Sequence, residues 1–343
     1  MKNERDSALL DVEKLLEANT ALTESVRELK GKLLAAEKDT KKPSFLNELE
    51  NDDVKTKFYT GLDSFKLVKV IFSALEPALT QDPRFKLSLM EQFVLTLMKL
   101  RLNLCRKDLA YRFNISKTTV TNYIEKFINI MHVRLPAALL VWPDREALVK
   151  TMPLSFRTNY PNCITILDCF EVRCDICSNI VDKASCYSSY KACHICKYLI
   201  GMSPQGAINF ASKGYGGRIS DVQIVKESGL LDLIESGDVV MADRGFLIEE
   251  EITSRNAEFV CTAFKGRREQ LGRAETEQSR IIANERIHID RGIGNLRKKF
   301  TILRGPIKIK DMCNDGSNYA FVDKVFVVCC CLMNSMKSIV PNH

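Results

Sequence analysis

The stretches CITILD (163–168) and GDVVMADRG (237–245) decide the fold. Each is a short apolar run rich in strand formers that closes on an aspartate. Between them, CKYLIG (196–201) and AINFA (207–211) predict two further strands joined by the turn MSPQG (202–206). GGRISD (216–221) then opens a helix expected to reach Leu233. A long helix over roughly 275–297 carries Asp290 between Ile289 and Arg291. Hairpin strands followed by strand–helix alternation predict an α/β domain, a mixed sheet flanked by helices, over residues 160–335.

An aspartate that closes an apolar strand often does no more than cap the next turn. Two of them, with a third acid on a late helix, fit a divalent-metal site better. Mg2+ and Mn2+ take oxygen ligands and need few protein groups. Held between shared carboxylates, such ions activate a water or a 3′-hydroxyl against a phosphodiester. Asp168, Asp243 and Asp290 are therefore the expected catalytic and metal-binding residues. The chain has four histidines, none in an evident catalytic pairing. Glu171 and Asp221 are expected near the site, although Asp221 also reads as an N-cap of the helix starting near Val222. Arg244 and Arg291 adjoin acids, where they either balance charge or meet DNA phosphate.

Upstream, residues 85–136 predict a helix-turn-helix. LSLMEQFVLTLMKLR leads to the short helix CRKDLAYRF and a tight turn at Asn114–Ser116, and Ser116 caps the next helix. Val120, Ile124, Phe127 and Ile128 would face inward. Lys117, Thr118, Thr119, Thr121 and Asn122 would face a DNA major groove. Residues 99–134 carry eight basic side chains against two acids, a local charge of +6 in a chain whose net charge is +7. A second island, LRKKFTILRGPIKIK (296–310), has six basic residues and no acid. Two basic islands on an otherwise mildly acidic body point to a polyanionic partner, DNA.

Within residues 1–40, positions 9–39 show a heptad, with Val12, Asn19, Val26 and Leu33 at one seam position and Leu15, Leu22, Leu29 and Ala36 at the other. That spacing predicts a coiled coil, and through it a homo-oligomer. Residues 41–84 read as a linker around Pro43 and an adaptor helix running from Val54 to Pro77, with a stripe of Leu62, Phe65, Val68, Ile71, Phe72 and Leu75. Residues 137–159 connect the helix-turn-helix to the sheet domain. At 343 residues with 45% hydrophobic and 27% charged side chains, the chain has a globular balance. Its longest apolar run, Val325–Met333, is too short to span a bilayer, and the opening MKNERDSALL is too charged for a signal peptide, so no membrane role is expected. Thirteen cysteines indicate reduced thiols or metal ligands. Cys174-x2-Cys177 and Cys193-x2-Cys196 have a spacing that reads as a structural Zn2+ site.

From about residue 85 to 335 the sequence resembles the transposases of the PIF/Harbinger superfamily, which carry a helix-turn-helix and a DDE endonuclease domain. The resemblance is carried by ITILDCFEV (164–172), YKACHICKYLIGMSPQG (190–206), SKGYGGRISD (212–221), GDVVMADRGF (237–246) and RIHIDRGIGNLRKKF (286–300), with FYTGL (58–62) and WPDRE (142–146) at the flanks. It implies an RNase H-like fold, divalent-metal-dependent cleavage and transfer of DNA strands, and action in the nucleus, shared or not with the cytoplasm. It also implies a Myb-like DNA-binding partner and argues against a required zinc. The first two acids fall on Asp168 and Asp243. The third family acid is a glutamate before an arginine; here it is Asp290 before Arg291. Aspartate is one methylene shorter, about 1.3–1.5 Å of reach. That departure favours the alternative of a domesticated, catalytically weak or inactive DNA-binding or assembly protein.

Overall fold

The computed structural model describes residues 18–32, 45–81, 86–263, 272–313 and 319–338. The chain divides into two units, Met1–Asp52 and Asp53–His343. In the first, residues 18–32 are helical, with Leu22, Val26 and Leu29 of the expected seam exposed. Heptad positions 12, 15, 33 and 36 lie outside the described residues. A short helix, Phe45–Glu50, follows.

The second unit begins with two helices where the sequence predicted one: α1 (Asp53–Thr60) and α2 (Phe65–Leu75). The break is at Gly61, whose φ of +80° leaves the helical region. Ser64 then caps α2, its hydroxyl accepting from Leu67 N at 3.3 Å. Leu62, Phe65, Val68, Ile71 and Leu75 are buried as a stripe. Helices α3 (Leu89–Leu102), α4 (Arg106–Arg112) and α5 (Lys117–Arg134) follow. Phe93 of α3 lies between Phe72 of α2 (5.8 Å) and Phe127 of α5 (5.6 Å), so the adaptor packs on the helix-turn-helix through aromatic contacts.

The sheet has seven strands, in the order β2-β3-β1-β6-β7 with β4 and β5 also on β3. They are β1 (Cys163–Arg173), β2 (Tyr187–Ser188), β3 (Cys193–Met202), β4 (Ile208–Ala211), β5 (Tyr215–Gly216), β6 (Val239–Ala242) and β7 (Glu258–Val260). β1 is antiparallel to β3 and parallel to β6, and β6 is parallel to β7. This is the mixed sheet flanked by helices that the sequence pattern predicts. Strand β1 is longer than expected. It does not stop at Asp168, because β3 continues to pair with it, Asp168 opposite Ile200 and Arg173 opposite Ile195.

Helix α6 (Asp221–Glu227) stops short of Leu233, because Gly229 turns the chain at φ +82°. The long helix α7 (Arg273–Lys299) buries Ile282, Glu285, Ile289, Gly292 and Leu296, a stripe spaced by three and four residues. Gly292 admits a close approach: a Cβ there would overlap Met202 of β3. Helix α8 (Phe321–Asn334) holds the apolar run in the core, with Phe326 stacked 4.2 Å from Tyr198 and 5.2 Å from Phe170. Burial pushes the thiols of Cys329, Cys330 and Cys331 in that run well above their ordinary range. No helix among the described residues is long and apolar enough to cross a membrane.

Candidate functional site

Parallel pairing of β1 with β6 sets the first two acids side by side. Leu167 lies opposite Ala242, so Asp168 of β1 and Asp243, one residue past β6, each follow this pair. Asp168 is half-buried inside β1, whereas Asp243 is exposed just past the end of β6. On α7, Ile289 is buried, which turns Asp290 outward, and Arg286 lies one helical turn earlier on the same face. Asp168 is pushed up to about 6 by burial first, and then by the carboxylates of Asp290 and Asp243. The amide of Cys169, donating to Asp168 Oδ1 at 2.7 Å, and the charge of Arg286 oppose that rise.

The three acids thus share one electrostatic neighbourhood. It is not a closed ligand set: among the described residues, no group of three or more His, Cys, Asp or Glu stands near enough to hold a metal ion. Arg286 Nη1 instead donates to Asp243 Oδ1 at 2.9 Å. The donor chemistry nonetheless suits a hard divalent cation, since carboxylates of β1, the residue after β6 and α7 act on one another electrostatically.

Glu171 and Asp221 stand elsewhere. Side chains alternate along a strand, so Cys169 and Glu171 leave β1 on the face opposite Asp168 and Phe170. There Asp221, the first residue of α6, accepts from Cys169 Sγ at 3.2 Å and pairs with Lys197 at 2.5 Å. Lys197 is held above its usual range despite its burial, by the Cys169 thiol and Asp221. Glu171 faces Lys191 at 3.8 Å, and its carbonyl accepts from Arg297 Nη2 at 2.7 Å. The cap of α6 is Ser220 rather than Asp221. Arg244 and Arg291 are exposed beside Asp243 and Asp290.

In the helix-turn-helix, Ser116 Oγ accepts from Thr119 N at 3.0 Å, and Asn114 takes the turn at φ +50°. Val120, Ile124, Phe127 and Ile128 are buried; Lys117, Thr118 and Asn122 are exposed, with Thr119 and Thr121 partly so. Thr119 is engaged with Ser116 (2.8 Å) and Thr121 with Lys117 O (3.1 Å), so Lys117, Thr118 and Asn122 are the fully exposed members of the expected set. Hydrogen bonds dock α3 and α5 on the sheet domain. Arg101 Nη1 donates to the carbonyls of Lys298 (2.7 Å) and Lys299 (2.6 Å) at the end of α7, and Lys324 of α8 donates to Asn129 (3.0 Å).

The paired CxxC spacing does not build a zinc site. Cys193 and Cys196 lie within the unbroken strand β3, where residues three apart point to opposite faces. Cys174 instead shares its surroundings with Cys186, Cys196 and Cys177, and burial raises it to about 12.

Residues 167–334 match the family model of the DDE superfamily endonuclease, and residues 85–137 that of the helix-turn-helix of DDE superfamily endonuclease. The chain thus carries a DDE superfamily endonuclease domain and the helix-turn-helix that belongs with it. It joins a DNA-binding helix-turn-helix to an endonuclease domain, the make-up of a transposase-like DNA-cutting protein, and DDE endonuclease domains use divalent metal ions. Neither a curated protein nor a solved structure matches it. Within this DDE chain the sequence missed Arg286 and Lys197. Arg286 was legible in RIHID (286–290), four residues before Asp290 on one helical face.

Proposed function

We propose that the chain is a PIF/Harbinger-like transposase, or a nuclease derived from one, that binds DNA through α5 and cleaves phosphodiesters at Asp168, Asp243 and Asp290. The observation that carries this reading is the parallel register of β1 and β6, which sets Asp168 beside Asp243, with Asp290 near enough to help raise the Asp168 carboxyl. A divalent ion, Mg2+ or Mn2+, held by these carboxylates would activate the attacking oxygen and stabilise the leaving one. Asp168, fixed inside β1, is the rigid member. Asp243 and Asp290 would close on it from a strand end and a helix face. Arg244 and Arg291, exposed beside the acids, would neutralise the phosphates of the cut strand. The exposed Leu22, Val26 and Leu29 support self-association through the N-terminal helix. The same resemblance supports a nuclear site of action and a Myb-like partner.

The second reading is a domesticated protein that binds DNA without cutting it. It is favoured by Asp290 in place of the family glutamate and by Arg286 on Asp243. One experiment separates the two: nicking of supercoiled DNA by the purified chain with Mg2+ or Mn2+, beside Asp168→Asn. Ion-dependent nicking lost in Asp168→Asn supports the transposase. Binding without nicking under either ion assigns the chain to the second reading.

A further inference from the structure

The two basic islands of the sequence are separated by more than 160 residues, yet they line a single cavity of about 480 Å3. From the first island come Lys99 of α3, Arg106 and Lys107 of α4, and Lys117 at the start of α5; from the second come Lys308 and Lys310. Asp311 is the lone acid in the lining, and Ile124 and Val325 form part of its apolar wall.

The cations are short of acceptors. Arg106 Nε is buried with no hydrogen-bond partner among the described residues. Among the described residues Lys99 donates to neutral oxygens, Asn103 Oδ1 at 2.7 Å and Leu104 O at 2.9 Å. Its ammonium is lowered to about 8 by burial first and then by the charge of Arg106, with Asp311 and Cys105 pulling the other way and Lys308 adding to the fall. Six cations against one carboxylate in a partly enclosed cleft make a site whose electrostatics an anion would relieve.

We propose that this cleft is a phosphate-binding site that grips the DNA backbone beside the groove read by α5, with Lys308 and Lys310 of the sheet domain closing on the phosphates from the side opposite Lys117. The inference rests on the DNA-binding reading of α5. The cavity is too small for a duplex, so one strand's phosphates would enter its mouth while the double helix lies across α5. Lys117 and Thr121 line both this cavity and the first turns of α5, which places the cleft along the backbone flanking that groove. Phosphate contacts of this kind fix register without reading sequence. Because Arg101 already ties α3 to the end of α7, DNA held here would also be fixed relative to Asp290.

The test uses the full-length chain and a fluorescent duplex, with affinity followed against salt. Lys308→Ala/Lys310→Ala should weaken binding about tenfold at low salt and reduce the salt slope by about two, one for each phosphate no longer neutralised. Lys150→Ala/Lys183→Ala removes the same charge elsewhere and should leave the slope nearly unchanged. Tripolyphosphate titrated by calorimetry tests a free polyphosphate as the source. If the Lys308/Lys310 variant loses tripolyphosphate binding but keeps the wild-type DNA slope, the DNA assignment is overturned. If it changes neither, the cleft is not a phosphate site. Thr118→Ala/Asn122→Ala tests the underlying reading separately: loss of sequence preference there, with an unmoved slope in Lys308→Ala/Lys310→Ala, overturns this inference alone. A wild-type chain that binds no duplex overturns both.

Discussion

Arg286 and Asp243 are 43 residues apart in the chain and 2.9 Å apart in space, the guanidinium donating to Oδ1 of the carboxylate. Arg286 is nearly buried, with 12% of its side chain exposed, and its charge also reaches Asp168. The cation therefore stands between a strand acid and the face that bears Asp290, where a divalent ion would compete with it.

That competition gives the first prediction. A charge-assisted hydrogen bond is worth about 1.5–3 kcal/mol, and an ion must displace it to engage Asp243 fully. Arg286→Gln should therefore tighten Mn2+ binding by about tenfold or more in a calorimetric titration. Unchanged affinity would mean that Arg286 does not occupy the ion's position.

The second prediction concerns pH. The Asp168 carboxyl is raised to about 6 in the folded chain, against about 3.9 when unfolded. The fold thus holds this proton more tightly than the unfolded chain does. Its stabilising effect is full below about pH 4 and is lost as pH rises through about 6. At pH 7.5 the ionised group costs about 2–3 kcal/mol in the metal-free protein. Asp168→Asn should accordingly resist urea better than wild type at pH 7.5 without metal, and should show a flatter stability profile between pH 4 and 7. A metal-free variant less stable than wild type at pH 7.5 would contradict this account.

The third prediction concerns the seat of α8. Asp323 Oδ1 accepts from the buried Tyr198 hydroxyl at 3.0 Å and from Gly214 N at 3.1 Å, and Oδ2 accepts from Ala320 N at 3.3 Å. Asp323→Ala leaves these donors unmet, at a cost of about 3 kcal/mol or more in chemical denaturation. Asp323→Asn keeps one carbonyl acceptor and should lose less. Equal losses would show that the hydrogen bonds to Oδ1 contribute little.

The sequence revealed what is local. Ser116 and the Val120–Ile128 stripe lie within a few turns of each other, so cap and buried face could be read together. The strand-closing aspartates were legible as residue types, yet not as geometry. Asp168 sits in mid-strand because β3, some thirty residues later, extends the ladder past it. The break at Gly61 was missed because the apolar stripe continues across it. The CxxC spacing that reads as zinc loses its meaning inside β3, whose period-two alternation sends Cys193 and Cys196 to opposite faces. Arg286 on Asp243 and the union of the two basic islands are long-range contacts, which depend on how the sheet and α7 close.

The last prediction tests the shortened acid. Gly292 lets α7 lie against Met202, which fixes how near the Asp290 face comes to Asp168. On an unmoved backbone, Asp290→Glu extends the carboxylate by about 1.3–1.5 Å. Misplacement of about 1 Å can cost on the order of a hundredfold in rate, so regained reach should raise nicking by a comparable factor and tighten Mn2+ binding. Gly292→Ala should do the opposite, because its Cβ needs the space of the Met202 side chain and α7 must shift or Met202 must turn away. DNA affinity without metal should be unaffected in both, since neither touches α5 or its flanking lysines. Lower activity in Asp290→Glu, with Mn2+ affinity also reduced, would show that the site has adapted to aspartate. Mn2+ binding unmoved by Asp290→Glu, Asp290→Ala and Gly292→Ala would remove Asp290 from the ion's ligands and leave α7 as a packing element.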